Sequence, residues 1–294
     1  MTTILRTPSD WPSILLPRDA AADPTDLDAA VKAGAFNGLR RALRDLGPTA
    51  TIAAIASAKL RGRGGAGYPA GDKWRAVAGA TAERRYVVAN GYGADPAASG
   101  DRELMERNPF GVIEGAAIAA VAVGAAEVII AVRAEATEAI RRLEACIAAA
   151  EDANLLGHNF LASGRDLTVT VSPLQGAYLL GEETILLKAL ENRRGQPEQR
   201  PPFPATQGLG GHPTLVQNVQ TLAAVPWIVV NGPEAFARIG AADAPGTILV
   251  QLRGPAGDGL AEVPMGTSLR QVVALAGAPA RPIKALLAGG PSGG

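Results

Sequence analysis

Along most of this chain, apolar positions fall at helical spacing, give way to short unbroken or alternating runs, and return to helical spacing. After a start punctuated by proline and aspartate, Asp26-Leu27-Asp28 leads into a helix over residues 29–33. Residues 38–43 form a second short amphipathic stretch, which Gly47-Pro48 stops. Ile52, Ile55 and Leu60 then share one side of a further helix over 52–60. Residues 84–90 (RRYVVAN) predict a buried strand, 114–126 a helix, 128–132 a strand and 134–153 a long helix. The alternation in 166–171 predicts a strand, and 184–190 a helix. This β–α–β–α–β order predicts an α/β fold: a three-layer, Rossmann-like domain with a largely parallel sheet.

Beyond it the texture changes. Residues 200–211 (RPPFPATQGLGG) carry too much proline and glycine for a regular element. Residues 214–229 predict a helix opened by Thr214-Leu215-Val216-Gln217 as a capping box. From about Ala244, short strands with turns (247–252, 257–259, 260–263) and one helix (268–276) predict a small β-rich module. The pattern divides the chain into an extension with short helices (1–46), the α/β domain (47–240) and the small module (241–294). The closing GGPSGG reads as a connecting turn, as though the module were cut short.

Composition narrows the function. Basic and acidic residues balance at 28 each, so no net field draws the protein toward nucleic acid or an anionic membrane. The single cysteine, Cys146, lies in the apolar run 143–150 and reads as a buried, inert thiol. Alone it can neither pair internally nor hold an iron–sulfur cluster. His158 and His212 are too far apart in sequence for metal spacing. Redox chemistry here needs a bound organic cofactor, and no metal ligand or catalytic side chain is assigned. The first residues, MTTILRTPSDWP, lack a basic start and a long apolar core. The apolar stretch 112–132, interrupted by Glu114 and Glu127, reads as a buried helix running into a strand. A cytoplasmic protein without direct membrane insertion is expected, peripheral to the inner membrane only through a complex.

The strongest candidate chemistry is the loop RGRGGAGYPAGDKW over 61–74. Gly62-Arg63-Gly64-Gly65-Ala66-Gly67 satisfies GxGxxG, but a Rossmann turn needs a preceding strand, and here helical spacing precedes it while Pro69 follows. Glycine backbone can still approach a planar ring or a phosphate closely, and its N–H groups can converge on an anion. Arg61, Arg63 and Lys73 add positive charge and Tyr68 an aromatic face, so a ligand loop is a better reading than a plain structural one. Gly181-Glu182-Glu183-Thr184 opens the next helix. Its glutamates either offset the helix dipole or meet a ligand that the backbone of 176–181 passes. Asn218 and Thr221, a helical turn apart, either bond a cofactor or tie down the preceding loop.

Taken in order, four segments resemble the 51 kDa-type flavoprotein subunit of respiratory complex I, a family shared with NAD-reducing hydrogenases and soluble formate dehydrogenases. They are LRGRGGAGYPAGDKW (60–74), GAYLLGEET (176–184), RPPFPATQGLGGHPTLVQNVQTL (200–222) and EVPMGTSLR (262–270). The resemblance implies non-covalent FMN, NADH stacked over it, hydride transfer to the flavin, and electrons passed on singly to iron–sulfur centres. Partners would be a thioredoxin-like [2Fe-2S] subunit and other iron–sulfur subunits. It also implies an SLBB-type β-grasp fold for the small module. The implied cofactor-binding set is Gly62, Arg63, Gly64, Gly65, Ala66, Gly67, Tyr68, Lys73, Asn90, Asp95, Tyr178, Gly181, Glu182, Glu183, Arg200, Phe203, Gln217, Asn218 and Thr221. The loop glycines and Lys73 would meet FMN and the dinucleotide; Asn90, Asn218 and Thr221 would bond the flavin. Glu182 and Glu183 would stand at its NADH edge, Tyr68 and Phe203 would stack, and Arg200 would help hold the nucleotide.

The departures bear on function. The family reads Asn-Ala-Asp-Glu and then Glu-Pro-Gly where this chain has Asn90-Gly91-Tyr92-Gly93-Ala94-Asp95-Pro96-Ala97. Two carboxylates are gone, and Asp95 alone stands for a third. The paired asparagines are Gln217-Asn218, and the glutamate after Val219 is Gln220. FMN binding survives such losses better than NAD(H) binding, and fewer carboxylates would repel NADPH less. A flavin-holding or structural subunit that has lost NAD binding is therefore the alternative reading. The four cysteines of the family's [4Fe-4S] domain are not in this chain.

Overall fold

A computed structural model describes residues 2–18, 23–254, 257–277 and 282–290. Residues 291–294 of the closing GGPSGG lie outside the described residues. Helices α1 (Leu27–Lys32) and α2 (Asn37–Arg41) lead through a π-helical turn (Ala42–Leu46) into α3 (Gly47–Ser57). Gly47, at φ 71°, both ends that turn and begins α3, so the expected stop is also a start. Helix α4 (Ala70–Gly79) precedes the first strand, β1 (Tyr86–Gly91). Helices α5 (Gly100–Arg107) and α6 (Pro109–Val123) follow, then β2 (Glu127–Arg133), α7 (Thr137–Asp152), β3 (Thr168–Leu174) and α8 (Glu183–Leu190).

Strand β4 (Thr214–Asn218) corrects the sequence reading, which placed a helix from Thr214. Its residues pair in parallel with β1, from Tyr86↔Thr214 to Asn90↔Asn218. The supposed capping box is not formed: the Thr214 hydroxyl donates to the His212 carbonyl and accepts from the Leu209 N–H. The helix begins after the strand, with Asn218 as its cap accepting from the Gln220 N–H at 2.9 Å. Helices α9 (Val219–Ala223), α10 (Val225–Asn231) and α11 (Pro233–Ala237) complete the α/β part.

The sheet has the order β3-β2-β1-β4, with every neighbouring pair parallel. Strand β1 is buried on both faces, as a central parallel strand must be. Val87, Ala89, Val128 and Ile130 join the main core with α3, α4, α6 and α7. Val88, Ala131 and Val216 face a smaller cluster built on Leu180 and α8. The chain adds β2 and β3 on one side of β1 and then returns to place β4 on the other. That reversal opens a crevice at the carboxyl ends of β1 and β4, where ligands of open parallel sheets bind.

After the sheet come two antiparallel hairpins, β5 (Gly240–Ala241) with β6 (Ala244–Pro245) and β7 (Thr247–Leu252) with β8 (Gly259–Pro264), and then α12 (Leu269–Ala274). The N-terminal arm extends this small module: Leu5 N–H donates to the Leu260 carbonyl and Leu260 N–H to the Thr3 carbonyl, a parallel bridge. The buried Glu262 carboxylate accepts from the N–H groups of Ile14, Leu15 and Leu16 and from the Thr247 hydroxyl. Among the described residues no helix is long and apolar enough to cross a membrane.

Candidate functional site

The glycine loop lies over the carboxyl end of β4, its backbone close to Gln217 and Asn218. An antiparallel bridge Arg61↔Pro69 and the bond from Gly62 N–H to the Tyr68 carbonyl at 2.9 Å pinch its ends. Helix α3, not a strand, precedes it, so it is no Rossmann turn. It is also shorter than the glycine-rich segment suggested: α4 begins at Ala70, which puts Lys73 and Trp74 on a helix. Gly65 and Gly67 have φ of 116° and 61°, and a Cβ at either would meet nothing within 4 Å. Among the described residues, no partner within the chain takes the N–H groups of Gly64, Gly65, Ala66 and Gly67. The loop presents bare, open backbone with free donors.

Beneath the loop lie the last residues of β4. A Cβ on Gly62 would come 3.8 Å from Gln217 Nε2, and one on Gly64 would come 3.3 Å from Asn218 Cβ. Gln217 is 6% exposed, yet its Oε1 has no hydrogen-bond partner. A buried amide oxygen without a donor costs about 1–3 kcal/mol, which a ligand donor would relieve. Asn218 and Thr221 are placed differently: both are engaged within the protein. Asn218 Oδ1 caps α9 and its Nδ2 donates to Asp101 at 2.8 Å, while Thr221 Oγ1 accepts the Arg63 N–H at 2.8 Å. Neither side chain bonds the preceding loop at 200–211; Thr221 holds the glycine loop at Arg63, and Asn218 is taken up by Asp101 and the cap of α9.

The turn at 176–184 closes the side next to β1. Asn90 Nδ2 donates to the Gly181 carbonyl at 3.0 Å, and a Cβ on Gly181 would lie 2.6 Å from Ala94 Cβ. Glu182 is the cap of α8, its Oε2 accepting from Thr184 and Ile185 N–H. Its Oε1 meets Arg200, which also lies 3.0 Å from Glu183. Lys73 Nζ donates to Glu183 at 2.8 Å and to the Val216 carbonyl at 3.1 Å. Three aromatic side chains, Tyr68, Tyr178 and Phe203, stay more than half exposed at 55%, 56% and 53%. Asp95 folds back on its own turn, accepting from the Ala97 N–H.

The structure turns Arg63 away from the open backbone, while Arg61 Nη1 donates back to the loop at the Gly67 carbonyl, 3.2 Å away. Arg63 Nε and Nη2 donate to the Thr247 and Pro245 carbonyls, and burial lowers its pKa to about 10. Arg61 Nε donates to the Asp243 carbonyl. Both strap the loop to the two C-terminal hairpins, and α4 sends Lys73 toward α8 and β4. Sequence reasoning also missed Asp101 on α5, whose carboxylate receives Asn218 Nδ2 and, at 2.6 Å, Gln220 Nε2. It is half-buried by surface, but desolvation pushes its pKa up. The only local signal was an acid in the first turn of a charged helix, which reads as a solvated face.

An open glycine loop with free N–H donors, at the strand-order reversal of a parallel sheet, defines a nucleotide- or flavin-binding α/β protein. Residues 55–227 match the family described as the Nuo51 FMN-binding domain, and the chain belongs to that family. It is 42% identical over 263 residues to an NADH-quinone oxidoreductase subunit of Rhizobium meliloti, covering 88% of this chain and 62% of that protein. It is 40% identical over 276 residues to the NADP-reducing hydrogenase subunit HndC of Solidesulfovibrio fructosivorans, covering 92% and 56%. The fold matches a chain of an NAD+-reducing [NiFe]-hydrogenase in its H2-reduced state with a TM-score of 0.78 and 33% identity, over 94% of this chain and 44% of that one. The chain thus spans about three fifths of the length of these two curated relatives.

Proposed function

We propose that this chain holds FMN at the glycine loop and carries hydride transfer from NADH to it, as the diaphorase part of a multisubunit oxidoreductase. One observation carries the flavin reading: the buried, unpartnered Gln217 oxygen lies under a loop whose outward N–H groups are free. Together they offer both an acceptor and donors to a flavin nucleotide. FMN, when bound, supplies hydride acceptance and release of electrons one at a time. The residues of the chain bind and orient. Gly62–Gly67 lets a ring or phosphate approach the backbone, and Lys73 brings a positive charge beneath it. Tyr68, Tyr178 and Phe203 offer exposed faces for a stacked dinucleotide. Glu182, Glu183 and Arg200 form the edge against which it would lie. No side chain acts as a general acid or base, since hydride passes directly between the rings.

Electrons would leave for iron–sulfur centres of partner subunits, a thioredoxin-like [2Fe-2S] subunit among them. With one cysteine in these 294 residues, the cluster ligands come from elsewhere. The protein would work at the periphery of such a complex.

Tyr92 favours the second reading, a flavin-holding or structural subunit without NAD binding. It stands where the resemblance expects a carboxylate, and its ring is 1% exposed, packed with Leu180 and Leu187. Arg133 lies over it at 4.6 Å, and its hydroxyl donates to the Gly176 carbonyl. One experiment separates the two. The protein, reconstituted with excess FMN and desalted, is titrated anaerobically with NADH while the flavin absorbance is followed. Bleaching is expected. A yellow protein that NADH does not bleach leaves the second reading, and a colourless one ends both flavin readings.

A further inference from the structure

Asn218 supports the glycine loop from below, and its side chain has no freedom of its own. Oδ1 accepts the Gln220 N–H at 2.9 Å and Nδ2 donates to Asp101 Oδ2 at 2.8 Å. Gln220 is equally fixed: its Nε2 donates to Asp101 Oδ1 at 2.6 Å, and its Oε1 accepts the Leu249 N–H at 3.2 Å. The Asp101 carboxyl therefore receives two amides, one under the flavin loop and one reaching strand β7. Gln220 is 8% exposed and stands where the family pattern has a glutamate. An amide there can donate to Asp101, whereas an ionised carboxylate could not.

We propose that Asp101 is a positioning residue of the flavin site, fixing Asn218 and Gln220 so that the loop from Gly62 to Gly67 is held ready for FMN by both the sheet and the C-terminal hairpin. The inference rests on the flavin reading above. Asp101 itself does not touch the cofactor. It has to accept on both oxygens, because each facing group is an amide N–H whose oxygen already has a backbone donor. Replacing it by the isosteric asparagine sets a donor against a donor, and either Asn218 or Gln220 must turn and abandon the α9 cap or the Leu249 bond. A network of this kind stands or falls as a unit.

The exchange of carboxyl and amide across the 2.6 Å contact tests this. FMN dissociation constants are measured by fluorescence quenching, with thermal unfolding alongside, for the wild type, Asp101→Asn, Gln220→Glu and the double exchange. Asp101→Asn should weaken FMN at least tenfold at pH 7, and Gln220→Glu, which restores the family's residue, should weaken it less. The double exchange reverses the direction of the bond but again sets one amide donor against one carboxylate acceptor. It should return the affinity to within about threefold of wild type. A role confined to stability would lower the unfolding temperature of Asp101→Asn but leave the FMN affinity of the folded variant unchanged. If a single variant is insoluble, the remaining single and the double exchange carry the test. An Asp101→Asn variant that binds FMN as the wild type does, or a double exchange no better than that variant, overturns the proposal. A wild-type chain that binds no FMN overturns the flavin reading instead.

Discussion

The ammonium of Lys73 lies 2.8 Å from the carboxylate of Glu183 and thereby joins α4, which leads out of the glycine loop, to the first turn of α8. With side chains 25% and 20% exposed, the pair contributes modestly to stability, under about 1 kcal/mol. Its effect is to hold a cation at the crevice. Lys73→Met should leave the melting temperature close to that of the wild type but raise the FMN dissociation constant about tenfold or more, as losing a charged donor of about 1.5–3 kcal/mol implies. Equal FMN affinity in a fluorescence titration would remove Lys73 from the site.

Gly65 in the loop and Gly71 on α4 serve different ends. Gly65, at φ 116°, faces open space, whereas a Cβ on Gly71 would sit 2.6 Å from Ala56 Cα, where α3 and α4 touch. Gly65→Val should abolish FMN binding, because the added side chain fills the cradle, and should also lower stability, because a β-branched residue is strained at that positive φ. Gly71→Ala should cost about 1–3 kcal/mol of stability through overpacking but leave FMN affinity close to wild type. Urea unfolding together with FMN titration of both variants checks this, and the opposite pattern would contradict the assignment of the loop face.

The layered α/β plan was legible because β1 and β2 are unbroken apolar runs between helices of helical spacing. Strand β4 was not. Thr214 and Gln217 imitate a helix start, and what makes the segment a strand is pairing with β1, some 128 residues earlier. The loop was legible from its glycines, but the direction of Arg63 was not, since its carbonyl partners lie 182 and 184 residues away. Asp101 was hidden for the same reason: its amide partners are 117 and 119 residues distant. Patterns local in sequence reveal backbone chemistry. They say nothing of a side chain whose purpose is a distant contact.

Glu262 secures the N-terminal arm. Its carboxylate takes three consecutive N–H groups, from Ile14 to Leu16, at 2.7 to 2.9 Å. Glu262→Ala would leave those donors and the Thr247 hydroxyl without an acceptor. A loss of about 2–4 kcal/mol is expected, as several buried polar groups lose their partner. Hydrogen exchange of residues 14–16 should rise well beyond that of β1. Unchanged protection there would mean that the arm is held by its apolar contacts alone.

Stability should also depend on pH through the buried acid Glu114, among others. Glu114 is buried in α6, accepts the Leu39 N–H at 3.0 Å, and has its pKa raised to about 7, chiefly by desolvation. In the unfolded chain the same carboxyl titrates near 4.5. Between these values the folded protein keeps a proton that the unfolded chain releases, so stability falls as pH rises through that window and levels off above it. The fall attributable to this group is on the order of 2–3 kcal/mol. Glu114→Gln keeps an acceptor for Leu39 and removes the ionisation, so its stability should lack this component of the slope. Urea unfolding of both proteins at pH 5 and pH 7.5 measures the difference directly, other titrating groups being common to the two. Parallel pH dependences would show that Glu114 ionises as easily in the folded chain as in the unfolded one.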